Sequence, residues 1–306
     1  SFVASANCGL YCNAKVDFVD IDPLTYNLSI SELEKKLTKA KLLDKLPKVL
    51  IPVHFAGQSC EMIRIKQLSE EFGFSVIEDA SHAIGGKYNN FIVGGCQYSD
   101  ITVFSFHPVK IITTAEGGVA TTNSEILGKR MRLFNSHGIT RDQNMMVKPQ
   151  NNALYYQQIL LGFNYRMTEL QAALGTSQLE RVDELVAKRH LLKKRYDSNL
   201  IDLPIELPYQ SKFCYSSLHL YPIKIGINNK KNRDIIFDKL RENDIGVNVH
   251  YIPIHTHPYY QDLGFKYGDF PKAENYYENA ITLPLFPSMT FDQQDYIINT
   301  LQEVFK

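Results

Sequence analysis

Short apolar runs alternate with stretches of helical periodicity through the N-terminal half of the chain. The runs at residues 48–53, 74–77 and 101–106 predict strands, since β-branched and aromatic residues dominate them. Residues 62–72 place their apolar side chains on one face, which predicts an amphipathic helix. Strands that are apolar without clean alternation are typical of a mostly parallel sheet that is buried on both faces. The pattern therefore predicts an α/β fold.

The chain contains further predicted strands and helices, and one long segment shows neither strand nor helix periodicity. Residues 139–161 are polar and rich in Asn, Gln and Tyr, so we predict a long loop there, and long loops are more often functional than structural. Residues 167–200 carry one continuous helical pattern. The remaining predicted strands are 15–22, 118–122, 218–223 and 245–249, and the remaining predicted helices begin or lie at 30–37, 125–135, 233–243, 270–273 and 291–305.

The pattern of predicted elements changes near residue 200. Pro204 and Pro208 end the long helical pattern, and a mixture of short strands and helices follows. A length of 306 residues suits about two domains, or one large domain with a smaller one attached. We therefore predict a large domain at residues 1–200 and a small α+β domain at residues 201–306.

Composition narrows the class of protein without identifying its activity. The chain is 44% hydrophobic and 22% charged with a formal net charge of zero, which is ordinary for a globular protein. Zero net charge predicts neither a nucleic-acid partner nor a membrane partner, and no apolar run approaches the roughly 18 residues of a spanning helix. The five cysteines lack zinc-site spacing, so we expect free thiols, no metal and a reducing, cytoplasmic setting: Cys8, Cys12, Cys60, Cys96 and Cys214.

Lys110 and Asp79 lie just past the ends of two predicted buried strands. Open α/β sheets bind ligands at such strand ends, so the two side chains are expected to face one crevice. Lysine forms Schiff bases with carbonyl compounds, and aspartate is the usual partner of the pyridinium nitrogen of pyridoxal 5′-phosphate (PLP). Either residue alone is most often a solvated lysine or a helix-capping aspartate. Together with the Gly-rich segment 113–120 they predict a PLP enzyme.

Three further residues are candidates for cofactor contacts. Ser105, five residues before Lys110, is expected beside the cofactor phosphate, which hydroxyls and backbone N–H groups bind. His82 is expected to reach the ring hydroxyl, although a capping or core histidine explains its position equally well. Phe2 is expected to lie flat against the ring, although a single phenylalanine is usually a core residue.

The motifs around these residues resemble those of a known family. Residues 105–110 (Ser-Phe-His-Pro-Val-Lys) followed by 113–118 (Thr-Thr-Ala-Glu-Gly-Gly) are similar to the lysine motif of the DegT/DnrJ/EryC1/StrS sugar aminotransferases. The resemblance implies a fold-type I PLP enzyme that aminates keto-sugars on nucleotide carriers with L-glutamate as donor. It extends from residue 1 to residue 306, with further matches at 52–58, 78–85, 162–167, 250–255 and 283–287.

The resemblance also implies residue roles. Lys110 takes the place of the Schiff-base lysine, and Asp79 that of the pyridinium partner. His82 takes the place near the ring hydroxyl, Ser105 that of a phosphate ligand, and Phe2 that of the ring-stacking residue.

The remaining implied roles concern the partner subunit and the sugar nucleotide. Asn164 takes the place of a residue that reaches the phosphate in the neighbouring subunit, which implies a homodimer with shared active sites. His250, Tyr251 and His255 are implied near the sugar nucleotide. For the two histidines, buried hydrogen-bonded side chains are nearly as good an interpretation.

Within the family, the sequences of the lysine motif and of residues 1–7 most resemble those of the C4 aminotransferases of pseudaminic acid biosynthesis, which act on a UDP-linked 4-keto sugar. Two alternatives stay open: a PLP-dependent sugar dehydratase of the same fold, whose members carry histidine in place of the lysine, and a non-catalytic or fragmentary descendant. The family has a segment before Phe2 with a phosphate-binding Gly-Thr turn, so we expect the parent protein to be longer.

Overall fold

The computed structural model of the chain describes residues 1–148, 154–226 and 233–306, which contain ten α-helices and twelve β-strands. The helices are α1 (Ala4–Tyr11), α2 (Ile30–Leu42), α3 (Met62–Phe72), α4 (Glu125–Phe134), α5 (Glu169–Leu179), α6 (Val182–Leu200), α7 (Arg233–Glu242), α8 (Pro258–Asp262), α9 (Pro271–Asn279) and α10 (Phe291–Phe305). The strands are β1 (Val49–Leu50), β2 (Ser75–Asp79), β3 (Lys87–Tyr88), β4 (Phe91–Ile92), β5 (Ile101–Ser105), β6 (Gly118–Thr121), β7 (Ile139–Thr140), β8 (Gln157–Gln158), β9 (Ile205–Glu206), β10 (Cys214–Tyr215), β11 (Tyr221–Ile225) and β12 (Ala280–Leu283).

A four-stranded sheet in the order β1-β2-β5-β6 carries the predicted α/β architecture. Strands β1, β2 and β5 are parallel, and β6 runs antiparallel to β5. Asp79 pairs with Val103, so the carboxyl ends of β2 and β5 lie at the same edge. The predicted mostly parallel sheet of an α/β fold is thus confirmed. The other sheets have the orders β10-β3-β4, β12-β11-β9 and β7-β8.

Helices α2 and α3 cover the sheet through an apolar core. Leu33 and Leu37 of α2 pack with Ile65 and Leu68 of α3 and with Val76 of β2, and all five are buried. Local signals set the helix ends: the Ser29 side chain accepts from the Glu32 N–H at the start of α2. Gly73 ends α3 at φ 75°, a left-handed conformation that glycine adopts without steric cost.

A second core occupies the C-terminal part and does not end at residue 200. Ile223 of β11 and Leu301 of α10 pack there with Tyr196 and Leu200 of α6. Val186, at the other end of α6, packs instead with Ile111 and Ile112. Helix α6 therefore contributes to both cores, and the domain boundary near residue 200 stays a prediction.

The long helical pattern at 167–200 is two helices rather than one. Helix α5 ends at Leu179 and α6 begins at Val182, with Arg181 at φ −106° and ψ 4° between them. No residue of α5 is buried, whereas α6 buries five side chains. The turn redirects the chain so that the apolar face of α6 enters the two cores, and periodicity alone does not register such a change of direction.

Two predicted strands are wrong, and the predicted loop is partly wrong. Segments 15–22 and 245–249 form only the isolated bridges Ile21–Leu28 and Asn248–Thr282. In the first, the Asp20 carboxylate instead accepts the Lys272 and Ala273 N–H groups at 3.0 Å, which ties that segment to the start of α9. Segment 139–161 is not wholly a loop, since β7 pairs with β8. Its residues 149–153 lie outside the described residues.

Candidate active site

The parallel arrangement of β2 and β5 positions the two chemically central side chains. Asp79 is the last residue of β2, and Lys110 lies in the turn that follows β5, where its N–H donates to the His107 carbonyl at 2.9 Å. The chain then returns to the sheet, because the Phe106 N–H donates to the Gly117 carbonyl at 2.9 Å. The structure thus places Asp79 and Lys110 beside the same edge of the sheet.

The electrostatics of Lys110 depend on burial and on Asp79. Burial lowers the pKa of the Lys110 ammonium, because a half-buried cation loses hydration, and the charge of Asp79 partly opposes this shift. The net direction is downward, so a larger share of this amine is neutral near pH 7 than for an ordinary lysine. A neutral amine is the form that attacks a carbonyl carbon and accepts a proton.

Each oxygen of the Asp79 carboxylate has a hydrogen-bond donor from the chain. The Ser81 N–H donates to Oδ1 at 3.0 Å. The Ser5 hydroxyl, from the first turn of α1, donates to Oδ2. The carboxylate is therefore held in one orientation by donors on two different elements.

His82 lies at the centre of a cluster of aromatic rings. Its Nε2 lies 3.1 Å from the Tyr251 hydroxyl oxygen, and its ring centroid lies 4.4 Å from that of His219. Burial, followed by the neighbouring His219, Lys110 and His250, lowers the pKa of His82 well below its usual value. Both His82 and His219 are therefore neutral at physiological pH, since burial and Lys110 also lower the pKa of His219.

The Nδ1 atoms of His82 and His219 have no hydrogen-bond partner among the described residues, although both side chains are more than nine-tenths buried. Buried polar atoms in native proteins are nearly always paired with protein, water or ligand. The two unpartnered nitrogens are therefore candidate contacts for a polar group of a ligand.

Tyr251 and His250 extend this cluster. The Tyr251 ring centroid lies 5.9 Å from that of Phe2, which is 58% exposed. Burial and the charge of Asp79 raise the pKa of Tyr251 to about 12. Burial and Lys110 lower the pKa of His250 to about 4, and its Nδ1 lies 2.9 Å from the Thr282 hydroxyl. The Asp79 and Lys110 charges thus reach residues of the C-terminal part.

The other predicted site residues have different surroundings. Ser105 is the half-buried last residue of β5, and its Oγ accepts from the His107 N–H at 3.4 Å. Asn164 is exposed and forms an isolated bridge with Ser136. His255 is 3% exposed and its Nε2 lies 2.7 Å from Glu274 Oε1, which matches the interpretation as a buried histidine. Its contact with a substrate stays a prediction.

Two side chains at the site were not assigned by sequence reasoning. Ser5 belongs to the N-terminal stretch that resembles the family, but no local pattern connects it to Asp79. His219 lies in a segment interpreted as strand, where a histidine next to apolar residues carries no chemical signal. Only the packing of distant segments brings them to the site.

The described residues show neither a metal-binding group nor a membrane-spanning helix. In the described part of the chain, no group of three or more His, Cys, Asp or Glu side chains is arranged to hold a metal ion. Among the helices of that part, none combines the length and the apolar character needed to cross a membrane.

Comparison with known proteins gives matches over nearly the whole chain. The model of the DegT/DnrJ/EryC1/StrS aminotransferase family matches residues 1–302. The chain is 33% identical over 307 residues to the UDP-4-amino-4,6-dideoxy-N-acetyl-β-L-altrosamine transaminase of Helicobacter pylori, covering 100% of this chain and 77% of that protein. It is 31% identical over 305 residues to the GDP-perosamine synthase of Vibrio cholerae, covering 100% of this chain and 78% of that protein.

A solved structure agrees with these matches. The PLP form of a sugar aminotransferase from Streptococcus pneumoniae superposes with a TM-score of 0.87 at 30% identity. The superposition covers 99% of this chain and 78% of that one. Sequence and fold therefore point to the same group of proteins.

Proposed function

This chain belongs to the DegT/DnrJ/EryC1/StrS aminotransferase family of PLP-dependent sugar aminotransferases, and we propose that it aminates the C4 keto group of a nucleotide-linked 4-keto-6-deoxy sugar. L-Glutamate is the proposed amino donor. The observation that carries the proposal is the amine of Lys110, with its lowered pKa, beside the Asp79 carboxylate at the edge of the parallel sheet.

The side chains at the site fit PLP. Lys110 supplies an amine for the aldehyde group, and Asp79 supplies a carboxylate for the ring nitrogen. His82 supplies a neutral imidazole with an unpartnered nitrogen for the ring hydroxyl. When bound, the cofactor supplies a ring that accepts an electron pair from the substrate carbon.

The protein's own groups hold and move protons in the proposed reaction. Lys110 Nζ takes up and returns a proton at the reacting carbon, and its lowered pKa favours the neutral amine that accepts this proton. Asp79 would hold its carboxylate near the ring nitrogen of bound PLP and so would favour the protonated form of that nitrogen. Tyr251 fixes the orientation of the His82 imidazole through their 3.1 Å contact.

Four predicted ligand contacts complete the proposal. The Ser105 hydroxyl binds the cofactor phosphate from the end of β5, and Phe2 packs against the ring. Tyr251 and His250 contact the sugar nucleotide, which is supported by their position near the charges of Asp79 and Lys110. All five cysteines are free thiols, which supports a reducing, cytoplasmic setting for this enzyme.

The nature of the nucleotide separates two candidate substrates. The H. pylori relative is named for a UDP-linked amino sugar and the V. cholerae relative for a GDP-linked one. We propose a UDP-linked keto-sugar of the pseudaminic acid type as the first candidate, because the lysine motif and residues 1–7 resemble those of that subgroup. A GDP-linked keto-sugar is the second.

The test is an assay of UDP-, GDP- and dTDP-linked 4-keto-6-deoxy sugars with L-glutamate and PLP, read by mass spectrometry. The expected product is an amino sugar formed from the UDP substrate, with Lys110→Ala as the inactive control. Amination of the GDP sugar alone would overturn the first candidate in favour of the second. A product that has lost water without gaining an amino group would indicate the dehydratase alternative, and a protein that binds no PLP would indicate a non-catalytic descendant.

We also propose a homodimer in which Asn164 serves the site of the partner. The segment that carries Asn164 exposes several large apolar side chains, an arrangement that favours burial against another protein. Phe163 and Tyr165, on either side of Asn164, stack at 4.7 Å. The exposed apolar residues of this segment are Leu161, Phe163, Tyr165, Leu170 and Leu174.

Mixing two defective variants tests this arrangement. Lys110→Ala and Asn164→Ala are each expected to have little activity alone. If the sites are shared, a mixed dimer contains one intact site, so random exchange of subunits restores about a quarter of wild-type activity. Activity that stays at the average of the two separate variants would show that Asn164 does not act across the dimer.

A further inference from the structure

We propose that Ser5 is a positioning residue for the Asp79 carboxylate. The Ser5 hydroxyl donates to Asp79 Oδ2 across a separation of 74 residues in the chain. Oδ1 is held independently by the Ser81 N–H at 3.0 Å. Ser5 therefore fixes the direction of Oδ2, the oxygen that does not contact the Ser81 N–H.

Hydrogen-bond chemistry shows why this contact matters. A hydroxyl that donates to an ionised carboxylate forms a charge-assisted bond, which is stronger than a bond between neutral groups. The bond restricts rotation of the carboxylate. A carboxylate oxygen accepts more than one donor, so Oδ2 retains a lone pair for the N–H of a protonated ring.

The helix that carries Ser5 is itself anchored. The Tyr260 hydroxyl donates to Asn7 Oδ1 at 2.6 Å, and Ala6 packs in a core with Ile254 and Tyr260. Helix α1 is thus fastened to the C-terminal part of the chain. Ser5 reaches Asp79 from a rigid element, and a donor on a rigid element loses less freedom when it forms its bond.

The inference rests on the proposed pairing of Asp79 with the cofactor ring, and its test separates the two. Ser5→Ala removes the hydroxyl, Ser5→Thr keeps it, and Ser69→Ala is the matched control. Ser69 is a buried serine of α3 whose hydroxyl donates to the Lys66 carbonyl at 2.7 Å. The measurements are the dissociation constant of PLP for the cofactor-free dimer and the ¹⁵N shift of the labelled ring nitrogen, which reports its protonation.

We expect Ser5→Ala to weaken PLP binding about tenfold, the equivalent of one hydrogen bond to a charged group. The ring nitrogen should also titrate at a lower pH. Ser5→Thr and Ser69→Ala should bind like wild type. Binding and ring protonation that are unchanged in folded Ser5→Ala would overturn the inference.

Two further variants keep the test decisive. Ser5→Cys preserves the volume of the side chain but is a weak donor, so it replaces Ser5→Ala if that variant does not fold. Asp79→Asn tests the pairing itself. If Asp79→Asn lowers the affinity for PLP and Ser5→Ala does not, only the role of Ser5 fails, whereas unchanged affinity in both variants removes the proposed pairing.

Discussion

Asp79→Asn separates a chemical role for this residue from a capping role. The substitution replaces one carboxylate oxygen by an amide nitrogen and removes the negative charge with little change in volume. The amide oxygen can still accept from the Ser81 N–H, and the Ser5 hydroxyl can turn to accept from the amide. Both hydrogen bonds thus keep a partner, and we expect the free energy of unfolding to change by less than about 1 kcal/mol.

The effect on the chemistry should be far larger. A neutral amide no longer favours a protonated ring nitrogen, so electrons from the substrate carbon are accepted less readily. Removing one oriented electrostatic group from an active site typically costs about 10²- to 10³-fold in rate. The charge of Asp79 also raises the pKa of Lys110 against the effect of burial, so its removal lowers that pKa further.

A single-turnover measurement with L-glutamate, followed by the absorbance of the cofactor, gives the rate of proton transfer, and urea unfolding gives the stability. Asp100→Asn is the control, because the Asp100 carboxylate, just before β5, accepts the N–H of Val76 in β2 at 2.8 Å. We expect the control to retain the wild-type rate. A wild-type rate in folded Asp79→Asn would refute the reasoning and leave Asp79 as a cap.

Three further outcomes are expected. Lys110→Ala abolishes amino transfer measured by mass spectrometry, and full turnover in that variant would exclude the assigned role. Burial lowers the pKa of Lys110, so reductive labelling with an aldehyde and borohydride should continue to a lower pH at Lys110 than at the exposed lysines of the cofactor-free protein. Peptide mapping measures the labelling of each lysine, and the same pH profile at Lys110 and at the exposed lysines would contradict this expectation. Glu274→Ala lowers the free energy of unfolding by about 3 kcal/mol, since Glu274 accepts from the Gly268 N–H and is paired with buried His255. Urea unfolding measures this loss. A loss below about 1 kcal/mol would contradict the importance of that pair.

Elements whose ends carry local signals were predictable from the sequence. Helix α3 has the predicted bounds, with Gly73 as its left-handed cap. Helix α10 also has its predicted bounds, because Thr290 and Gln293 form a capping box at its start. Segment 15–22 was mispredicted, since the hydrogen-bond partner of Asp20 is Lys272, 252 positions away in the chain. A local window contains the caps but not such partners.

The same distinction applies to the candidate site. The sequence alone indicated that Asp79 and Lys110 lie at the ends of two parallel strands, because strand period and strand ends are encoded by neighbouring residues. Tertiary structure alone decided that the Ser5 hydroxyl contacts Asp79, that His219 packs on His82, and that burial lowers the pKa of Lys110. Those features depend on contacts between segments far apart in the chain and on the exclusion of water, which arise only when the cores have packed.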